Sequence, residues 1–559
     1  MDERNFEKLE MIGRRDHSIT NEYRIFGPPG TGKTSGVARL ARSAVERLGR
    51  ECALVTSFTR TAAAEIASHD LSISPGRVGT LHSLCYRALG GPAMAEAHVS
   101  DWNRRHPNLA VTPVMGADRL DGEDDAEAII ESARGGDRLL QELNRHRALM
   151  VAREEWPIEL QQFAAKWEEY KRQNNLFDFT DLIETCLRDT DVAPGRPNVI
   201  FVDEAQDHTP MQMALIRRWG ACMDYFVVVG DDDQLLFSWC GASPESLLNP
   251  AVPDDQLVVL EESLRVPRAI HALAEKLIRQ VSRRQPKTYL PRPAPGEVHR
   301  LSRGGYRSPE YAILKTAEDH LAKGQTVMFL AACAYMLRPI LAVLRKNAIP
   351  FHNPYRKSNG FWNPLRANKK GSAANRTLAL LVAQTAGVGT WTYDDLLSWS
   401  EALRPEGVLR PGARDAMREA GLRVTVTPAA LSELFEPVAL QSLLAASNGD
   451  PRSLLAWWRA HMTPELSRRT QFTADVVARR GARALRDRPR VIVGTIHSVK
   501  GGQTDVVYLF PDLSKAGDAQ YRKCGPPRDS VFRTFYVGAT RARETLYICS
   551  AEGATAIAI

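Results

Sequence analysis

The run Gly27-Pro28-Pro29-Gly30-Thr31-Gly32-Lys33-Thr34 has the residue types and spacing to grip a triphosphate. Its glycines let backbone N–H groups turn onto phosphate oxygens, and a helix opening at the same point adds the positive end of its dipole. Lys33 reaches the β and γ phosphates, Thr34 offers a hydroxyl to Mg²⁺, and Ser35 completes the nucleotide-binding turn. A purely structural glycine turn would not need all of these behind a strand and ahead of a helix. A second group with chemistry is Val199-Ile200-Phe201-Val202-Asp203-Glu204-Ala205-Gln206-Asp207, an apolar strand that delivers acids at its carboxyl end, where open α/β sheets place ligands. Asp203 suits the Mg²⁺ shell, and Glu204 suits orientation or deprotonation of an attacking water. Neighbouring acids on a strand point to opposite faces, but where the strand ends the chain turns and both can approach one metal.

Strands alternating with helices are what must position these groups. Short β-branched runs at Tyr23 to Gly27, Cys52 to Phe58, Val199 to Val202, Phe226 to Val229 and Leu257 to Leu260 predict a parallel sheet with helices on both faces. A second set at Val327 to Leu330, Val491 to Gly494, Val506 to Phe510 and Thr545 to Cys549 predicts a second α/β body. Between these sets, from about Gly91 to Leu187 and from about Asn363 to Arg488, the pattern is helical with almost no strand signal. Phe163, Trp167 and Tyr170 fall on one helical face there and read as core packing ahead of base stacking. The Arg-rich run from Arg479 to Arg490 reads as a solvated helix face ahead of a duplex contact.

With 559 residues, 44% of them apolar, the chain predicts three or four domains. A net charge of +7, carried mostly by Arg, hints at phosphate partners without deciding the matter. The eight cysteines are scattered singly, which predicts reduced thiols and no zinc site. The first residues lack a signal-peptide core, and the longest apolar run, Val327 to Leu337, is too short to span a bilayer, so the expectation is a cytoplasmic protein.

The phosphate loop by itself is as close to AAA+ remodelling ATPases as to anything else. The rest of the chain resembles the UvrD/Rep/PcrA family of superfamily-one helicases. The resemblance runs in family order through Thr56-Ser57-Phe58-Thr59-Arg60-Thr61, Gly79-Thr80-Leu81-His82-Ser83, Asp178-Phe179-Thr180-Asp181-Leu182, Val229-Gly230-Asp231-Asp232-Asp233-Gln234, Gly494-Thr495-Ile496-His497-Ser498-Val499-Lys500-Gly501-Gly502 and Tyr536-Val537-Gly538-Ala539-Thr540-Arg541. It implies two RecA-like P-loop domains with parallel sheets, each carrying a mainly helical insertion. The expected divisions are residues 1–90 and 188–255 for the first domain with its insertion at 91–187, and 256–362 and 489–559 for the second with its insertion at 363–488.

The resemblance also implies roles. Gln234 becomes a γ-phosphate sensor, and Arg265 and Arg541 become the arginines that stabilise charge on the transferring phosphoryl group. Phe58, Phe237 and Trp239 take base-stacking positions, although a buried core aromatic is the plain alternative for Trp239. Thr59, Thr80 and Thr495 would contact phosphates, with Arg60, His82 and His497 along the same strand. A metal pair is the weaker reading of the two histidines, because neither has a second ligand at suitable spacing.

The implied activity is an ATP- and Mg²⁺-dependent helicase or translocase moving 3′-to-5′ on single-stranded DNA and at single-strand/duplex junctions, in repair, recombination or replication. Protein partners from those pathways are expected, with a monomer in isolation, no membrane association, and a bacterial or phage-infected cell as host. The intact set of Lys33, Thr34, Asp203, Glu204, Gln234, Arg265 and Arg541 argues against a DNA-binding module with a degenerate ATPase.

Four departures qualify these expectations. Residues 1–33 contain no Gln, and Leu264 replaces the aromatic that usually precedes the second-half arginine, so both adenine contacts look weakened. Gln503, in the nucleotide-binding set, stands where the family commonly has Glu. The sequence given ends eighteen residues past Arg541, before the family's duplex-splitting hairpin, which favours translocation over strand separation.

Overall fold

The structure is a computed structural model that describes residues 20–68, 73–113, 135–356, 362–386, 390–421 and 423–559. It divides into two compact units, one of Met1–Ser302, Leu330–Met336 and Gly494–Ile559, the other of Arg303–Phe329 and Leu337–Val493.

In the first unit β1 (Glu22–Phe26), β2 (Ala53–Ser57), β3 (Val78–Thr80), β4 (Val199–Asp203), β5 (Tyr225–Gly230) and β6 (Leu257–Val259) form one sheet in the order β3-β2-β4-β5-β1-β6. Every pairing is parallel. Side chains alternate across a strand, so Ile25, Val55, Phe201 and Val229 enter one apolar cluster while Phe26, Leu54, Val202 and Val228 enter another. Burial on both faces explains why these strands read as continuous apolar runs. The register sets Phe26 beside Gly230 and Ser57 beside Asp203. The loops that follow β1, β2, β4 and β5 therefore leave the sheet along the same edge, and that edge holds the site.

Within the stretch between β3 and β4, Phe163, Trp167 and Tyr170 pack with Trp102 in a core of their own, as the helical stripe predicts. Asp178 caps the next helix and receives Lys171 Nζ at 2.6 Å, a buried pair that fixes the helix start.

Eight more strands follow: β7 (Glu262–Pro267), β8 (Leu290–Arg292), β9 (Glu297–Arg300), β10 (Val327–Ala331), β11 (Phe351–His352), β12 (Val491–Thr495), β13 (Thr504–Leu509) and β14 (Ala542–Ile548). In the first unit β14 lies between β13 and β9, parallel to both, and β7 pairs with β8 in a small parallel sheet. In the second unit β11 pairs in parallel with β12, and most of the remainder is helical. The helices there are held by Trp391, Trp399 and Trp458, the last donating its indole N–H to the Trp399 carbonyl at 3.0 Å. Arg483, Arg486, Arg488 and Arg490 are exposed, in keeping with a solvated run.

The sequence reading did not anticipate β3, β7, β8, β9 and β11. All but β7 are two to four residues long, and β7 and β8 contain proline, which removes a ladder donor and weakens any strand signal. Among the described residues no helix is long and apolar enough to cross a membrane.

Candidate functional site

The loop after β1 is fixed at both ends. Gly27 N–H donates to the Gly230 carbonyl at 2.9 Å, and Lys33 opens a sixteen-residue helix. Gly30 (φ 78°) and Gly32 (φ 84°) take left-handed conformations that only glycine adopts cheaply. Gly27 is required by closeness as well, because a Cβ there would stand 2.2 Å from Lys33 Cγ. The Pro28 carbonyl accepts from Thr31 N (3.3 Å) and Thr31 Oγ1 (2.9 Å), rounding the turn.

Lys33 is buried and folds back, its Nζ 2.6 Å from the Gly27 carbonyl. Burial lowers its pKa, against the pull of Glu204, Asp231 and Asp203. Thr34 Oγ1 donates to Asp203 Oδ2 at 3.2 Å, and Ser35 is half-buried one residue further along the helix.

β7 lies directly on this loop. Leu264 N–H donates to the Gly30 carbonyl at 2.9 Å and Ser263 Oγ to the Pro29 carbonyl at 2.7 Å. A Cβ on Gly30 would fall 2.4 Å from Arg265 Cβ, so glycine is what lets the arginine approach. Arg265 Nε in turn donates to Gln503 Oε1 at 2.8 Å.

Asp203 is the last residue of β4, and Glu204 turns sharply with φ 52° and ψ 40°, a conformation unusual for a residue with a side chain. Burial and then the neighbouring Glu204 push the Asp203 carboxyl up to about 7. Its Oδ1 is buried with no hydrogen-bond partner while Oδ2 meets Thr34, an oxygen pair that fits a hard cation such as Mg²⁺. Burial opposes ionisation of Glu204 too, but Lys500 and Lys33 outweigh it and bring its pKa down to about 2. Lys500 Nζ stands 3.1 Å from Glu204 Oε2 and also bonds Asp207, while Gln206 donates to Glu204.

From the loop after β5, Gln234 Nε2 donates to Asp231 Oδ2 at 2.7 Å, which leaves its Oε1 to accept from Arg541 Nη2 at 3.1 Å. Arg541 is 1% exposed and also donates to the Val537 carbonyl (3.0 Å) and the Gly502 carbonyl (3.3 Å). Lys287 Nζ lies 3.1 Å from the other Asp231 oxygen and bonds Asp232 and Asp233 as well. One centre thus combines a glycine turn, an orphaned acid oxygen, a carboxylate held by Lys500, an amide and the guanidinium groups of Arg265 and Arg541.

Residues 15–251 match the family described as the UvrD/REP helicase N-terminal domain. Over that stretch the chain resembles UvrD/Rep/PcrA-like helicases. It is 25% identical to YjcD of Bacillus subtilis over 289 residues, which is 47% of this chain and 37% of that protein. Against the ATP-dependent DNA helicase UvrD2 of Mycobacterium tuberculosis it is 28% identical over 286 residues, 45% of this chain and 41% of the relative. With the ATP-dependent DNA helicase PcrA of Staphylococcus aureus the identity is 26% over 213 residues, 36% of this chain and 29% of the relative. The aligned stretches therefore span well under half of these curated relatives.

Four of the aromatic and histidine positions form one cluster. Phe58 and Phe237 have ring centroids 4.9 Å apart, with Trp239 and His497 each 6.3 Å from Phe237 and Lys500 Nζ 5.7 Å from that ring. Phe237 is buried and Trp239 half-buried, so a base could reach the Phe237 face only after its neighbours shift. His82 is edge-on to Phe179, and burial lowers its pKa to about 4. Thr59, Thr80 and Thr495 each accept a main-chain N–H three residues ahead, from Ala62 (3.1 Å), Ser83 (3.3 Å) and Ser498 (3.2 Å). The side chain of Arg60 lies outside the described residues.

Lys500, Asp207 and Lys287 were not among the predicted site residues. Lys500 and Asp207 stand inside motifs already recognised, so their charge was the available signal. Nothing local marks Lys287, whose acidic partners lie more than fifty residues upstream.

Proposed function

We propose that this chain is an ATP-driven motor that moves 3′-to-5′ along single-stranded DNA, serving repair, recombination or replication. The hydrogen bond from Arg541 to Gln234 carries the reading, because it brings a guanidinium from near the end of the given sequence into the same buried centre as the phosphate loop and its acids. In this reading residues 1–90 and 188–255 form the first RecA-like domain and residues 256–362 and 489–559 the second, with insertions at 91–187 and 363–488. Single strands, single-strand/duplex junctions and proteins of those pathways are the partners.

Lys33 would exchange the Gly27 carbonyl for the β and γ phosphates, and the backbone N–H groups of Gly30 to Thr34 would cradle them. Asp203 and Thr34 would hold Mg²⁺, whose chemistry there is neutralisation of phosphate charge. Glu204, ionised and released from Lys500, would orient the water. Arg541 and Arg265 would stabilise charge on the departing phosphoryl group, and Gln234 would register its loss. Phe237 and Trp239 follow Gln234 by a few residues, so that change reaches the rings on which bases would stack.

ATP hydrolysis should rise at least about tenfold with oligothymidylate. In the same preparation streptavidin should be stripped from a 5′-biotinylated strand and not from a 3′-biotinylated one. Stripping from the 3′ end alone overturns the polarity, and hydrolysis indifferent to DNA overturns the motor.

Nucleotide choice should be relaxed. Leu264 is 50% exposed beside the phosphate loop and offers no aromatic face to a base, and base–aromatic stacking is worth about 1–3 kcal/mol. GTP should therefore be hydrolysed within about fivefold of ATP at saturation, since the triphosphate contacts are shared. A strong preference for ATP across the four nucleotides would count against this.

A further inference from the structure

Asp231, Asp232 and Asp233 are all buried just past β5, where three carboxylates side by side would repel one another. Three cations answer them. Lys287, its side chain 1% exposed, lies 3.1 Å from Asp231 Oδ1 and 3.1 Å from Asp233 Oδ2 and also bonds Asp232. Arg284 grips Asp233 through Nε at 2.8 Å and Nη2 at 2.6 Å, and Arg533 Nε donates to the Asp232 carbonyl at 2.8 Å. Among the described residues Lys287 is the cation that pairs with Asp231.

From Asp231 the hydrolytic centre is two hydrogen bonds away. Asp231 Oδ2 accepts from Gln234 Nε2 at 2.7 Å, and Gln234 Oε1 accepts from Arg541 Nη2 at 3.1 Å. A primary amide can present either end to a neighbour, whereas a carboxylate only accepts. Asp231 therefore takes the Gln234 N–H and turns the amide oxygen to the guanidinium. That holds only while the carboxylate keeps its own orientation, and Lys287 on Oδ1 supplies the fixed point. The same ammonium lies 5.4 Å from the centroid of Phe26, the residue before Gly27, which ties the Gln234 loop to the strand that carries the phosphate loop.

We propose that Lys287 is a positioning residue of the hydrolytic centre, setting the Gln234 amide through Asp231 so that Arg541 meets the transferring phosphoryl group in one orientation. This deepens the proposed function and rests on it. The plainer alternative is a counter-ion that only keeps three buried acids together, and a double-mutant cycle separates the two. Lys287→Gln removes the charge that holds Asp231, Gln234→Ala removes the amide through which it acts, and the two are then combined. Arg284→Gln takes a cation from the same acids while leaving the Asp231 pair in place, and is the control for a merely structural role.

In ATP turnover measured with and without oligothymidylate, kcat should fall about tenfold in Lys287→Gln, with affinity for a fluorescent ATP analogue within about threefold of wild type. Added to Gln234→Ala, the same substitution should lower kcat by less than about twofold further. Arg284→Gln should lose thermal stability and keep kcat within about threefold. If Lys287→Gln does not fold, Asp231→Ala breaks the same link while Asp232 and Asp233 remain for Lys287, and the same fall and the same non-additivity are expected of it. The proposal is overturned by a link variant that folds and keeps kcat within about threefold of wild type, by losses that multiply in full across the cycle, or by an Arg284→Gln variant as slow as the link variant. Wild-type turnover that ignores oligothymidylate is instead the failure of the motor reading, because the cycle is scored on hydrolysis with the strand or without it.

Discussion

Glu204→Gln should abolish turnover while leaving nucleotide binding intact, with kcat falling by about 10²–10⁴-fold, the range over which a positioned general base contributes. The substitution is nearly isosteric, and its amide oxygen can still accept from Lys500 and Gln206, the two groups that hold the carboxylate now. What disappears is the negative charge, which in the native site is secured by Lys500 and Lys33 against the cost of burial. Affinity for a fluorescent ATP analogue should change by less than about threefold, because Lys33 and the glycine turn are untouched. Asp207 is the competing base, since it shares Lys500 and is buried nearby. If Glu204→Gln hydrolyses ATP within about threefold of wild type and Asp207→Asn does not, the roles assigned to the two acids are reversed.

Arg541→Ala should cost about 10³–10⁵-fold in kcat, the contribution of a guanidinium supplied to a transferring phosphoryl group. At roughly 1.4 kcal/mol per tenfold, the low end is about 4 kcal/mol, more than the 1.5–3 kcal/mol assigned to a single charged hydrogen bond. Arg541 spends its three nitrogens on Gln234, Val537 and Gly502, a fork that an ammonium cannot reproduce. Arg541→Lys should for that reason recover little of the loss. Thermal unfolding measured on both variants distinguishes a catalytic from a structural defect, since the side chain is fully buried. Equal losses in analogue affinity and in kcat would make Arg541 an anchor for the ground state and remove it from the hydrolytic step.

The fold was legible wherever the signal was local. Ile25, Val55, Phe201 and Val229 belong to apolar runs dense enough to be read as strands without knowing their neighbours. The Phe163, Trp167 and Tyr170 stripe was legible for the same reason, because helical spacing alone places the three on one face. By contrast β7 reads as Glu-Ser-Leu-Arg-Val-Pro, charged and proline-terminated, and becomes a strand through its partner β8 and its bonds to the phosphate loop. Phe237 illustrates the converse limit: the family resemblance implied a stacking ring there, yet its packing against Phe58, His497 and Lys500 comes from distant segments.

By itself the sequence determined the phosphate turn and the acidic strand end, because glycine's backbone freedom, a helix N-terminus and adjacent carboxylates act over a few residues. Only the tertiary structure decided which polar and charged groups meet. Arg541 and Gln234 are 307 positions apart, and Lys500 and Asp207 are 293 apart. Attraction between such groups depends on distance and burial, and both are set by how the sheets pack rather than by anything written near either residue.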